Sequence, residues 1–174
     1  MEIRKARVDE TDKVLAFYHE MIEVMKGTDF DILWKYDVHP SNDFLRESTK
    51  RGYTYLGIVD DDNIACACVI DRDPAPGYED APWQVKASKD EIGIVHSVAT
   101  LPQYHRRGYA KELLRAAIDS SREAGLRSLQ LDTFMTNERA HNLYGQLGFI
   151  EVGPQEVFYE DLGHVTLKLF EYVL

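Results

Sequence analysis

The run Val95-His-Ser-Val-Ala-Thr-Leu-Pro-Gln-Tyr-His-Arg-Arg-Gly-Tyr-Ala-Lys-Glu-Leu-Leu114 falls into three pieces, and their order decides the fold. Residues 95–101 are short, mostly apolar and rich in β-branched side chains, which predicts a buried strand. Pro102 stops it, because proline has no backbone N–H for a sheet ladder. Residues 105–111 then place two arginines and a glycine directly before a helical pattern. Ala110, Leu113, Leu114, Ala117 and Ile118 recur at the spacing of one apolar helix face. A strand, a basic glycine-containing turn and a helix start together make an anion site. The first N–H groups of a helix have no internal acceptor, and the macrodipole places partial positive charge there.

The rest of the chain bounds this reading. Its 174 residues are expected to form one domain, 1–174, that buries roughly two thirds of its unfolded surface without disulfides. No apolar run approaches the roughly 20 residues of a membrane span, and the N-terminus lacks the apolar core of a signal peptide. The expected location is therefore cytoplasmic, with no membrane partner. Cys66 and Cys68 stand two apart in a strand-like run, where their side chains share a face and cannot easily bridge. They are expected to be reduced core thiols, and no second ligand pair accompanies them to build a metal site.

Net charge is −10, from 30 acidic and 20 basic residues, which disfavours a nucleic-acid binder. Arg106, Arg107 and Lys111 stand out as a positive island on this background. Cations at a helix N-terminus oppose the macrodipole unless an anion sits beside them. Either they are solvated helix-start cations or they hold such an anion.

From the N-terminus, residues 3–8 predict a strand, and Asp9 or Asp12 caps a helix with Val14, Leu15, Tyr18, Ile22 and Met25 on one face. Gly27 ends that helix. Residues 28–40 carry no period, and Ser41 caps a short second helix that stops near Gly52. Residues 53–59 and 64–70 predict two strands joined by the acidic turn 60–63. The connection 71–90, with Pro74, Pro76, Gly77 and Pro82, is long for a compact domain and is expected to be functional. Beyond the central helix, Gly125 marks a C-cap and residues 128–133 a strand. Residues 137–147 form a helix with Ala140, Leu143, Tyr144 and Leu147 on one face. Two final strands, 150–159 and 165–173, join through Asp161-Leu162-Gly163. The predicted order is β-α-α-β-β-β-α-β-α-β-β, an α/β fold with a mixed sheet and helices on both faces.

Two blocks in this order resemble the GNAT superfamily of N-acetyltransferases over nearly the whole length. One is His105-Arg106-Arg107-Gly108-Tyr109-Ala110 after Val98-Ala99-Thr100, with His105 where the family usually has Gln or Arg. The other is Asn137, Ala140, Leu143-Tyr144 and Leu147-Gly148-Phe149. The resemblance implies acetyl-CoA as acyl donor, with no metal. Its pyrophosphate would lie against Arg106, Arg107, Gly108, Tyr109, Ala110 and Lys111, and Gly108 would permit close backbone approach. The resemblance also implies a central strand splayed from its neighbour, whose residues Val98, Ala99 and Thr100 pair with the pantetheine arm. The Val98 N–H would polarise the thioester carbonyl, and Asn137 would hydrogen-bond the arm.

Tyr144 resembles the family's general acid, although periodicity alone reads it as a core aromatic. An alkyl ammonium has a pKa of about 10, so roughly one molecule in a thousand is neutral near pH 7 and a proton acceptor helps. His96 suits that role, with Asp132 and Glu91 as rivals, and each also reads as an ordinary sheet residue. Trp34, Tyr36, Tyr78 and Trp83, mixed with Asp29, Asp31, Asp37, Glu79 and Asp80, suit a cationic amine acceptor or an acidic surface kept for solubility. The expected partners are that amine and a second copy of the chain in a homodimer, with no nucleic acid. The rival functions are a non-catalytic acyl-CoA-binding module and a nucleotide-binding oxidoreductase. The oxidoreductase lacks the third glycine of its fingerprint and the right strand order.

Overall fold

The computed structural model describes residues 1–75, 77–159 and 163–174. Pro76, the Asp161-Leu162 part of the expected last turn and the side chain of Tyr159 lie outside the described residues. Among these residues the strands are β1 (Glu2–Lys5), β2 (Thr54–Val59), β3 (Asn63–Asp71), β4 (Ile92–Thr100), β5 (Ser128–Phe134), β6 (Ile150–Tyr159) and β7 (Gly163–Val173). The helices are α1 (Thr11–Met25), α2 (Asn42–Lys50), α3 (Tyr109–Glu123) and α4 (Glu138–Leu147). The strands hydrogen-bond in the order β1-β2-β3-β4-β5-β7-β6; β1–β2, β2–β3, β5–β7 and β6–β7 pair antiparallel and β4–β5 parallel. This is the predicted α/β order. By internal contacts the chain divides into two compact units, residues 1–71 with 96–117 and residues 72–95 with 118–174.

The first unit is built on the β2–β3 hairpin, with α1 and α2 supplying its core. Val14, Phe17, Tyr18, Met21, Ile22 and Met25 of α1 meet Leu45, Leu56, Ala67, Ala99 and Leu101, all buried. These α1 positions follow helical spacing and so form one stripe. Ser41 caps α2 as expected, its hydroxyl accepting from Phe44 N at 3.1 Å. At the start of α1 the expectation is corrected. Neither Asp9 nor Asp12 caps the helix; β1 ends at Lys5, a short 3-10 turn covers Val8–Glu10, and Glu10 is the cap residue. Its buried carboxylate accepts two 2.7 Å bonds from Arg4 and one of 2.8 Å from Arg7 N. Gly57 of β2 packs so closely that a Cβ there would lie 2.5 Å from Cys66 Sγ. Cys66 and Cys68 are free, buried thiols, as expected. Burial pushes the Cys66 thiol up to about 12, and Cys68 higher still.

In the second unit, β5 runs antiparallel to β7 from Ser128↔Val173 to Phe134↔Leu167, and β6 pairs along the other side of β7. The β4–β5 ladder takes in Ile92–Ile94 against Ser128–Gln130. The 71–90 connection is less loose than its prolines suggested. It contains a 3-10 turn at Tyr78–Asp80, and Tyr78, Ala81 and Trp83 form a small core with Ile94 and Leu169. Trp83 Nε1 donates to the Tyr78 carbonyl at 2.7 Å. Glu171, fully buried in β7, accepts from Gln84 N, Val85 N and Ser128 Oγ at 2.6, 3.2 and 2.8 Å. A buried carboxylate needs such donors to offset its lost hydration, and here the donors fasten the connection to the sheet.

Candidate functional site

The second half of β4 and the turn after it lie in the first unit. Ser97 has φ 52°, a left-handed residue inside a strand, which is the backbone signature of a bulge. Its carbonyl accepts a 2.7 Å bond from the buried Tyr18 Oη. The period-two alternation of a strand therefore does not carry across Ser97, from His96 to Val98. Leu101 N still reaches the Ala65 carbonyl at 3.0 Å, and Pro102 then opens a 3-10 turn over Pro102–Tyr104.

After this turn, Arg106 (φ 60°) and Gly108 (φ 81°) both adopt left-handed backbone. Glycine takes this conformation freely, whereas arginine does so at a cost, and such strain collects at ligand-holding turns. Gly108 O accepts from Glu112 N at 3.0 Å, so the N–H groups of Tyr109, Ala110 and Lys111 belong to the first turn of α3. A Cβ added at Gly108 would meet nothing within 4 Å. Arg106 and Arg107 are exposed, the Arg107 guanidinium lying 5.6 Å from the Tyr104 ring centroid. His105 turns inward, its Nε2 2.9 Å from the Thr100 carbonyl and its ring 4.6 Å from Phe30. The turn thus offers positive charge, first-turn N–H donors and an open approach over glycine, which fits a diphosphate group.

His96 is also in this unit. Its Nε2 lies 3.1 Å from Asp71 Oδ1, and its ring meets Phe44 edge-on at 5.6 Å. Nothing local in the sequence marks Asp71, because 25 residues separate the pair and no motif links them.

The remaining site residues belong to the second unit. Asn137 is the N-cap of α4, its Oδ1 accepting from Ala140 N at 3.2 Å. Tyr144 is buried in α4, its ring 5.6 Å from Phe149 and 5.8 Å from Phe170. Tyr144 is thus the core aromatic that periodicity predicts, and Asn137 is a helix cap. Asp132 Oδ2 accepts from Tyr78 Oη at 2.9 Å. Glu91 is committed to a capping box, accepting from Ser88 N and Oγ at 3.0 and 2.7 Å, and the Ser88 hydroxyl leads in holding its pKa down.

The expected acceptor aromatics need correction. Tyr78 and Trp83 are buried core, not a surface for a cation. Trp34 packs against the core of the first unit, and Tyr36 is exposed beside His19 at 4.3 Å. Asp31 accepts from Gly27 N and Leu33 N, and Asp37 from Asn42 N, so these carboxylates shape turns. The backbone bond from Gly27 is the main cause of a lowered Asp31 pKa. Among the described residues no group of His, Cys, Asp or Glu is placed to hold a metal ion, and no helix is long and apolar enough to cross a membrane.

Comparison with known proteins agrees with the two sequence blocks. The model of the Acetyltransferase (GNAT) family matches residues 16–149. The "Uncharacterized N-acetyltransferase YycN" of Bacillus subtilis (strain 168) is 44% identical over 85 residues, covering 40% of this chain and 54% of that protein. This chain thus spans about half the length of that relative. A second Bacillus subtilis (strain 168) protein, whose name provisionally assigns it alanine N-acetylation of ribosomal protein bS18, is 24% identical over 97% of this chain and 93% of its own. The structure of yncA from Salmonella typhimurium, solved with its cofactor acetyl-CoA, superposes with a TM-score of 0.71 at 16% identity, over 100% of this chain and 94% of that one. That likeness is one of fold.

Proposed function

Because the chain belongs to the GNAT family of acetyltransferases, we propose that it moves an acetyl group from acetyl-CoA to a primary amine of a small molecule or of a peptide or protein. The observation that carries this reading is the turn between β4 and α3, with left-handed Arg106 and Gly108 set before the helix start. Arg106, Arg107 and Lys111 supply charge, and the N–H groups of residues 108–111 cradle the pyrophosphate. Val98, Ala99 and Thr100 present strand backbone to the pantetheine arm, and the Asn137 side chain binds the same arm. Acetyl-CoA supplies the acyl group as a thioester.

His96 takes the proton that the acceptor ammonium must lose before its nitrogen can attack. Val98 N–H donates to the carbonyl oxygen as charge develops there. Tyr144 gives its proton to the departing thiolate as the C–N bond forms and the C–S bond breaks; the acylated nitrogen sheds its second proton to solvent, from which Tyr144 regains one. Asp132 is the rival base. His96→Gln and Asp132→Asn separate the two, because only loss of the true base lowers kcat by about 100-fold or more.

Peptide N-termini are one acceptor class to try first, since a relative's name assigns it an alanine amine. The deciding experiment follows free thiol released from acetyl-CoA over polyamines, amino acids, aminoglycosides and peptides, with Tyr144→Phe alongside. Turnover on one acceptor class, much reduced in the variant, supports the reading. Intact coenzyme binding without turnover on any acceptor favours the binding module instead.

A further inference from the structure

Asp71 ends β3, and His96 lies in the part of β4 that belongs to the same unit. The Asp71 side chain is 6% exposed and that of His96 25%. Among the described residues the imidazole meets Asp71 at 3.1 Å and the Phe44 ring, which stands at 77° to it. Tyr18 fixes the next residue by holding the Ser97 carbonyl.

A carboxylate only accepts hydrogen bonds, so the 3.1 Å contact puts a proton on His96 Nε2. A neutral imidazole has one N–H, so its lone pair is then on Nδ1. Resting on the transferase reading above, we propose that Asp71 is a positioning residue that holds His96 in the Nε2–H tautomer, making Nδ1 the proton acceptor. The ammonium proton passes to Nδ1, directly or through one water, while the nitrogen keeps its electron pair for the thioester. The imidazolium so formed is paired with the Asp71 carboxylate until it releases the proton to solvent. Phe44 keeps the ring from swinging away from this bond.

The test combines a tautomer measurement with a double-mutant cycle. Long-range proton–nitrogen correlation of histidine-labelled protein, at alkaline pH where imidazoles are neutral, reads the His96 tautomer without any acceptor. The wild-type protein shows the Nε2–H pattern. Asp71→Asn loses it, because an amide can turn its NH2 toward Nε2 and move the ring proton to Nδ1.

With acetyl-CoA and the most active amine of the panel, Asp71→Asn lowers kcat about tenfold and leaves the KM for acetyl-CoA unchanged. In a His96→Gln background the same change alters kcat by less than about twofold. Where Asp71→Asn does not fold, Asp71→Glu keeps the carboxylate and the Nε2–H pattern. An Nδ1–H tautomer in the wild-type protein, or losses that multiply in the double variant, overturns the proposal. Wild-type protein without turnover on any amine contradicts the transferase reading, and the tautomer still decides the pair.

Discussion

The phenol of Tyr18 donates a 2.7 Å hydrogen bond to the carbonyl of Ser97, the left-handed residue of β4. One side chain of α1 thereby holds the bend that lies between His96 and Val98. Burial also pushes the Tyr18 hydroxyl well above its usual pKa, so it stays a donor throughout the working pH range. Tyr18→Phe keeps the ring and removes the bond. Unfolding in urea should show a loss of about 1–2 kcal/mol, and on the proposed function kcat falls while the fold is retained. A stability equal to wild type would show that the bend holds itself.

Gly108 separates backbone strain from coenzyme contact. Its φ of 81° makes Gly108→Ala cost about 1–2 kcal/mol of stability, yet the added methyl meets no protein atom within 4 Å. A larger effect on acetyl-CoA affinity, at least about tenfold by calorimetry, is expected because the methyl intrudes where the pyrophosphate approaches. An affinity within about twofold of wild type would place the phosphates elsewhere.

Glu10 gives the fold an acid-sensitive contact. Its hydrogen bonds from Arg4, ahead of all other causes, bring its carboxyl down from the ordinary 4.5 to about 2. A depressed carboxylate stabilises the fold fully above 4.5 and loses that contribution as pH falls toward 2. Glu10→Gln should therefore be about 2 kcal/mol less stable near neutral pH. The gap to wild type should close between pH 4.5 and about 2. A gap independent of pH would contradict the role given to the charge.

Glu171 fastens the 71–90 connection through the Gln84 and Val85 amides. Glu171→Gln turns one acceptor into a donor facing an N–H, at a cost of about 2–3 kcal/mol. Trypsin should then cut after Lys86 faster than in wild type. Unchanged cleavage would mean that the small core around Tyr78 and Trp83 holds the connection by itself.

The element order was legible because hydrophobic period, Ser41 and the glycines after the helices are local signals. The basic turn before α3 was legible for the same reason, since two arginines and a glycine before a helix are contiguous. What stayed hidden depends on contacts between distant residues. Ser97 carries no mark of a left-handed strand residue, and its bend shows only with Tyr18 in place, 79 residues away. Tyr78 and Trp83 sit among prolines and acids, where nothing local announces burial. Asp71, Glu171 and Glu10 read as surface charges until their donors are found. The helix-start error at Asp9 and Asp12 has a related origin, because a 3-10 turn over Val8–Glu10, held by Glu10 bonding back to Arg4 and Arg7 N, leads directly into α1.

The central claim is that the turn between β4 and α3 holds acetyl-CoA, and a thermal unfolding titration with that coenzyme tests it most directly. At 100 times its dissociation constant the ligand should add about 2.7 kcal/mol of stability, with Gly108→Ala and Arg106→Ala needing more coenzyme for the same gain. A wild-type unfolding curve that does not move with acetyl-CoA would contradict the account at its root.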